Sequence, residues 1–280
     1  MNELLRRTLT GAGIVIFILG GFLLHPVSFF IAGLTIMAGS QYEYYIMIKS
    51  TGIKPQVIAG LAAGALLFIA ATLAASGTIP MKFLLLILPL IIIIMVTEIY
   101  RKEEKPFNSL AHTLFPLLYI VLPFSLLPFS AYGHTGINTL IDNNLEAFSP
   151  GIAAGFFILL WTNDTGAYLT GVSFGRHRLL ERISPKKSWE GFFGGLVLSL
   201  VIAWFMSGWF GIVERWGWMV ISAIISVSGT WGDLIESMLK RSLGVKDSGN
   251  IMPGHGGFLD RFDSALTAFP LVFLFIILFG

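Results

Sequence analysis

The sequence predicts an all-α polytopic integral membrane protein with about nine transmembrane helices, its N-terminus cytoplasmic and its C-terminus outside. Three observations lead there. The 280 residues are 55% hydrophobic and only 12% charged, with a mean hydropathy of +0.80, whereas soluble domains carry about 25% charged residues. Apolar runs of the length a helix needs to cross a bilayer, about 17 to 25 residues, fall near 8–24, 27–47, 56–75, 81–99, 109–130, 150–172, 190–211, 217–238 and 262–280. With these spans alternating from an inner N-terminus, 16 of the 18 Lys and Arg residues lie inside and only Lys82 and Arg215 outside. That asymmetry is the one that orients membrane proteins.

Composition also excludes several classes. Without cysteine there is no disulfide, thiolate metal site or cysteine nucleophile. A net charge of +2 gives no footprint for nucleic acid. No polar stretch is long enough for a soluble domain. The chain reads as residues 1–149, about five spans of lipid-facing scaffold, and 150–280, about four spans with cytoplasmic loops 173–189 and 239–261.

The first span follows Arg6-Arg7 and lacks a small-residue cleavage site, so it reads as a retained helix rather than a signal peptide. Spans one to five are rich in Leu, Ile, Ala and Gly, and small residues such as Gly60, Ala63 and Gly64 permit close helix contact. Such helices also give the expectation of a homo-oligomer. Glu43 and Glu98 lie near cytoplasmic helix ends and read as solvated or ion-paired. Gln41, Tyr42 and Tyr44 line a pocket or form an interfacial belt. His112 and His134 lack metal-ligand spacing, and 101–106 is a solvated turn.

Span six holds WTNDTGAYLTG. A carboxylate within the bilayer is costly, so Asp164 is a functional candidate. Tyr168 and Gly171 follow at i+4 and i+7, on the same face. The loop FGRHRLLERISPKKSWEG then concentrates Arg176, His177, Arg178, Arg182, Lys186 and Lys187, with Ser184 opening Ser-Pro-Lys-Lys and Ser-Trp-Glu-Gly starting a helix. Binding of anionic membrane lipids explains part of that charge, but the Ser-Pro-Lys-Lys spacing is more particular than topology requires. Span eight brings Asp233, Ser237 and Lys240 onto one face at i, i+4 and i+7. Glu236 and Lys240 read as an ordinary i,i+4 pair.

The stretch Ser237–Asp263 is the centre of the chain. It holds Lys240, Arg241, Lys246, Asp247, His255, Asp260, Arg261 and Asp263 among five glycines, including Gly256 and Gly257. Spans six and eight both run inward, so Asp164 and Asp233 lie in their cytoplasmic halves. Asp260 and Asp263 stand at the inner start of span nine. The four carboxylates can therefore meet near the inner leaflet, where they require cations. Hard oxygen ligands beside a phosphate-type loop suggest Mg²⁺, with a second cation as a further possibility, bound partly through substrate phosphates. Glycines ahead of a helix offer backbone N–H groups to an anion. Such a site suits a reaction between a soluble nucleotide and a lipid headgroup.

At these residues the sequence resembles the CDP-diacylglycerol synthases (phosphatidate cytidylyltransferases). The family pattern of Ser, Lys-Arg, Lys-Asp, His-Gly-Gly and Asp-Arg-x-Asp matches Ser237, Lys240-Arg241, Lys246-Asp247, His255-Gly256-Gly257 and Asp260-Arg261-x-Asp263. A second pattern matches Asp164 to Tyr168, Gly171, Gly175 and Ser184 to Gly191. The resemblance is specific over about 161–264. It implies that CTP and phosphatidic acid give CDP-diacylglycerol and pyrophosphate at the cytoplasmic face of an inner membrane, with Mg²⁺ required. It further implies metal binding by Asp233, Asp260 and Asp263, with Asp164 a further contributor. Lys240, Arg241 and Lys246 would neutralise nucleotide and lipid phosphates, and Lys186 and Lys187 would close the polyphosphate side. Asp247 and His255 would orient loop and substrate. The competing class is an ion-coupled transporter using the intramembrane acids, although the charges cluster on one side rather than along a path. A non-catalytic assembly protein would leave Asp164 and Asp233 idle. Enzymes that consume CDP-diacylglycerol open with Asp-Gly-x-x-Ala-Arg, which is absent here.

Overall fold

The computed structural model describes residues 3–132, 148–210, 213–245, 248–249 and 256–279, with side chains from residue 11 onward. Among the described residues the long helical segments are α1 (Glu3–Leu24), α2 (Pro26–Lys49), α3 (Val57–Ala75), α4 (Met81–Arg101), α5 (Pro106–Ser130), α6 (Gly151–Phe174), α7 (Trp189–Phe210), α8 (Arg215–Ser242) and α9 (Leu259–Phe279). Six of them, α3, α4, α5, α7, α8 and α9, are long and apolar enough to cross a membrane. The protein is an all-α polytopic membrane protein. The two helices α2 and α6 carry polar residues in their middles, buried Ser40, Gln41 and Glu43 in one and Asn163 with Asp164 in the other.

Helix ends follow local chemistry. The His25 ring accepts the Val27 N–H at 3.1 Å while the His25 N–H donates to Ser28 Oγ, a reciprocal cap with Pro26 in the first turn of α2. Helix α4 stops at Lys102, whose φ of 54° is left-handed. Helix α5 contains Pro116, Pro123 and Pro128, and its ladder gives way to a π turn over Leu117–Val121 and a 3₁₀ turn over Leu127–Ser130. Proline lacks an N–H, and such local rewinding re-satisfies the freed carbonyls.

The chain forms two compact units: Met1–Phe148 with Asp247–Phe262, and Ser149–Lys246 with Asp263–Gly280. In the first, polar groups of α2 tie the helices together. Gln41 Nε2 donates to the Gly60 carbonyl at 2.8 Å, and the Tyr45 hydroxyl donates to the Thr113 carbonyl at 2.8 Å. Gly60 and Gly64 sit so tightly against Tyr45 and Gln41 that a methyl group at either would collide. The Tyr44 hydroxyl and His112 Nδ1 are 2.7 Å apart, so Gln41 and Tyr44 serve packing while Tyr42 stays 44% exposed. Gln56 Nε2 donates to Glu98 Oε2 at 2.6 Å, and Arg101 pairs with the same oxygen at 2.8 Å.

Glu43 is neither solvated nor ion-paired with a described residue, as its place near a helix end suggested. It is 2% exposed and accepts hydrogen bonds from Ser248 and Leu259.

In the second unit α6 and α7 pack through glycines. A methyl at Gly194 would collide with Thr170 and one at Gly195 with Asn163, while one at Gly166 would press tightly on the Gly194–Gly195 backbone. Helices α7 and α8 share a buried serine cluster, Ser222 donating to Ser199 at 2.9 Å and Ser199 lying 3.2 Å from Ser226. Helices α8 and α9 close on Gly232, whose absent side chain makes room for Thr267 and the Asp263 backbone. Gly194→Leu should therefore lower stability by about 1–3 kcal/mol through overpacking. Thermal unfolding in detergent would read this as a reduced Tm, and an unchanged Tm would rule the close packing out.

Candidate active site

The basic loop after α6 is not plain coil, as a wholly helical fold implies. It folds into an antiparallel hairpin of β1 (Arg178–Leu180) and β2 (Ser184–Ser188). Its charged residues cannot enter an apolar phase, and backbone pairing satisfies the short connection instead. Ser188 ends β2 and caps α7, its Oγ accepting the Gly191 N–H at 3.1 Å. Glu190 accepts the N–H groups of Arg176 and His177 and lies 2.6 Å from His177 Nδ1. The hairpin is thus clamped at its base to the first turn of α7.

That clamp presents Lys186 and Lys187 to a cavity of about 520 Å³ within the second unit. The cavity is also lined by Asp164, Tyr168, Gly171, Arg178 and Asp233. The i, i+4, i+7 face of α6 therefore looks into it as the spacing implies. Lys187 Nζ stands 2.5 Å from Asp233 Oδ2, and the Ser237 hydroxyl donates to Asp233 Oδ1 at 3.2 Å. One turn on, Lys240 Nζ lies 2.5 Å from the fully buried Glu236. Asp263 is half-buried, accepts the Ser264 N–H at 2.6 Å, and feels the charges of Asp233, Glu236 and Asp164. Three of the four acids singled out in the sequence are thus electrostatically linked.

Asp260 is used differently. Its carboxylate accepts the Ser248 N–H at 3.0 Å and the Gly257 N–H at 2.9 Å, holding both residues at the start of α9. Gly256 has a φ of +79°, a conformation glycine adopts freely. Arg241 and Arg261 are exposed, and Ser184 opens β2 opposite Leu180 outside the cavity lining. Lys246, Asp247 and His255 lie outside the described residues, as does His134. Sequence reasoning assigned no site role to Arg178, Asn163 or Thr230, which line the cavity, or to Glu43. Arg178 shares the basic loop with Lys186, which could have marked it. Asn163 is marked locally as a polar residue beside Asp164 in an otherwise apolar span, whereas nothing local marks Thr230.

Among the described residues no three acidic or imidazole side chains converge tightly enough to hold a metal by themselves. Mg²⁺ is commonly held by one or two carboxylates together with substrate phosphates. Asp233 fits that role, because it already takes one cation, the Lys187 ammonium, at the wall of the cavity.

A family model described as "Cytidylyltransferase family" matches residues 5–279. A protein of Staphylococcus saprophyticus named "Phosphatidate cytidylyltransferase" is 47% identical over 122 residues, 43% of this chain and 47% of that protein. Proteins of the same name from Staphylococcus haemolyticus and Staphylococcus aureus are 46% and 47% identical over the same shares. The matched region spans about half the length of these relatives. With the family match running over nearly its whole length, the chain belongs to the cytidylyltransferase family.

Proposed function

We propose that the protein is a phosphatidate cytidylyltransferase of phospholipid biosynthesis, converting CTP and phosphatidic acid to CDP-diacylglycerol and pyrophosphate. The observation that carries the reading is the Lys187–Asp233 pair at the wall of a mostly apolar cavity that also receives Lys186, Arg178 and Asp164. A phosphate oxygen of phosphatidic acid attacks the α-phosphorus of CTP, the bond to the β-phosphate bridging oxygen breaks, and pyrophosphate leaves. A phosphate monoester is already anionic near neutral pH, so the protein needs no strong base. Its work is positioning and charge stabilisation.

In this reading Lys186, Lys187 and Arg178 hold the polyphosphate and balance the charge that builds on the departing pyrophosphate. Lys240 and Arg241 take lipid or nucleotide phosphate as α8 ends, and Tyr168 meets the substrate from the cavity rim. Asp233 and Asp263 would hold Mg²⁺, with Asp164 beside them, and the resemblance at Asp260-Arg261-x-Asp263 adds Asp260, in the first turn of α9, as a further ligand. When bound, the ion would neutralise phosphate oxygens and polarise the α-phosphorus. The protein would be a multi-pass inner-membrane enzyme whose basic loops face the cytoplasm, in keeping with the Lys/Arg asymmetry. Its close-packing small residues would also serve a homo-oligomer.

Pyrophosphate release by the purified protein in detergent tests this, with phosphatidic acid, Mg²⁺ and each nucleoside triphosphate in turn. Release is expected only with CTP, lipid and metal together. Folded protein that releases none with any nucleotide would sink the reading and return the intramembrane acids to ion transport.

A further inference from the structure

Glu43 belongs to none of the motifs, yet it is the buried acid that touches the glycine segment. It lies on α2 and is 2% exposed. Its Oε2 accepts the Leu259 N–H at 3.0 Å and the Ser248 hydroxyl at 3.2 Å. The first N–H groups of a helix have no partner within it, so Glu43 caps the first residue of α9 from 216 positions away. Its charge also suits the positive end of the helix dipole. Its Oε1 is buried without a hydrogen-bond partner among the described residues.

The surrounding geometry is shaped to this carboxylate. A Cβ at Gly249 or at Gly257 would overlap it, so these two glycines make room for Glu43. One turn before it on α2, Gly39 receives the Phe258 ring. Ser248 is held twice, its hydroxyl by Glu43 and its N–H by Asp260. Gly257 likewise packs on Glu43 while donating its N–H to Asp260. Glu43 and Asp260 grip the same two residues.

We propose that Glu43 is a positioning residue acting through Asp260, fixing Ser248, Gly257 and the start of α9 so that the Asp260 carboxylate keeps the orientation in which it would serve as a metal ligand. This rests on the cytidylyltransferase reading above. Glutamine at this position retains an oxygen acceptor for Leu259 and Ser248, whereas alanine leaves both donors unpaired and opens a void.

The test uses the full-length protein in detergent as wild type, Glu43→Ala, Glu43→Gln and Ser248→Ala. Glu43→Ala should raise the KM for the Mg²⁺–CTP complex by about tenfold or more, the scale of a lost helix cap, with the KM for phosphatidic acid unchanged. Glu43→Gln should stay within about threefold of wild type, since its amide oxygen still accepts both bonds. Ser248→Ala, which removes one contact without a cavity, should fall between and keeps the test decisive should Glu43→Ala fail to fold. Hydrogen exchange without nucleotide or metal supplies a readout apart from activity. Peptides covering 248–259 should exchange faster in Glu43→Ala, and those of α6 to α8 should not. Unchanged exchange at 248–259, or a fall in kcat with the nucleotide KM unmoved, would overturn the proposal. Loss of activity in Glu43→Gln equal to that in Glu43→Ala would also overturn it. A folded wild type that releases no pyrophosphate would remove the functional reading and this proposal with it, a result distinct from any difference among the variants.

Discussion

Asp233→Asn should lower lipid-dependent pyrophosphate release about a thousandfold, near 4 kcal/mol of barrier, while leaving the fold almost untouched. Asparagine keeps the size of the side chain and can still accept the Ser237 hydroxyl. What it loses is the charge that holds Lys187 and would hold a divalent ion. That ion pair is 26% and 33% exposed on its two sides, so solvent screens it and its loss should cost no more than about 1 kcal/mol of stability. Asp263→Asn should show the same split more sharply. Asp263 is set among Asp233, Glu236 and Asp164, where an ionisable group is costly to the fold, so an amide there should hold or raise stability as activity falls. Initial rates and Tm measured on the same preparations check both variants. Activity within tenfold of wild type in Asp233→Asn would remove that residue from the metal assignment. A large drop in Tm would show that the acid serves the fold instead.

Lys187→Met should raise the KM for CTP and lower kcat/KM by about a hundredfold, the scale of one lost charge-stabilising donor. Methionine preserves much of the aliphatic stem, so the hairpin and its clamp through Glu190 should persist. Lys187→Arg keeps the charge but changes its shape and reach, and should fall between the two. Initial rates against Mg²⁺–CTP concentration decide it. If Lys187→Met retained wild-type rates, the pairing with Asp233 would be a resting contact with no part in the reaction.

Much of this protein can be read along the chain. The runs 56–75, 81–99 and 109–130 correspond to helices Val57–Ala75, Met81–Arg101 and Pro106–Ser130, because hydropathy over a helix length is a local property. The face shared by Asp164, Tyr168 and Gly171, the Asp233–Ser237 contact and the Glu236–Lys240 pair all follow from a period of 3.6 residues. Ser188 at the head of Trp-Glu-Gly caps its helix for the same local reason.

Glycines mark the limit of such reading. In the sequence, Gly249, Gly256 and Gly257 look alike, as backbone free to approach a ligand. In the fold, Gly256 is needed for its positive φ, while Gly249 and Gly257 give space to Glu43. Gly194 and Gly195 instead let α7 close on α6.

By itself, then, the sequence determined the helical membrane architecture, the polar faces of spans six and eight and the motif that marks the family, since each depends on residues within a few turns of one another. Only the tertiary structure decided that Lys187 of the hairpin meets Asp233 of α8, that Asp260 turns onto Ser248 and Gly257, and that Glu43 of the second helix caps the ninth. A buried polar group must find a partner wherever packing places one, and no local periodicity records which distant residue that will be.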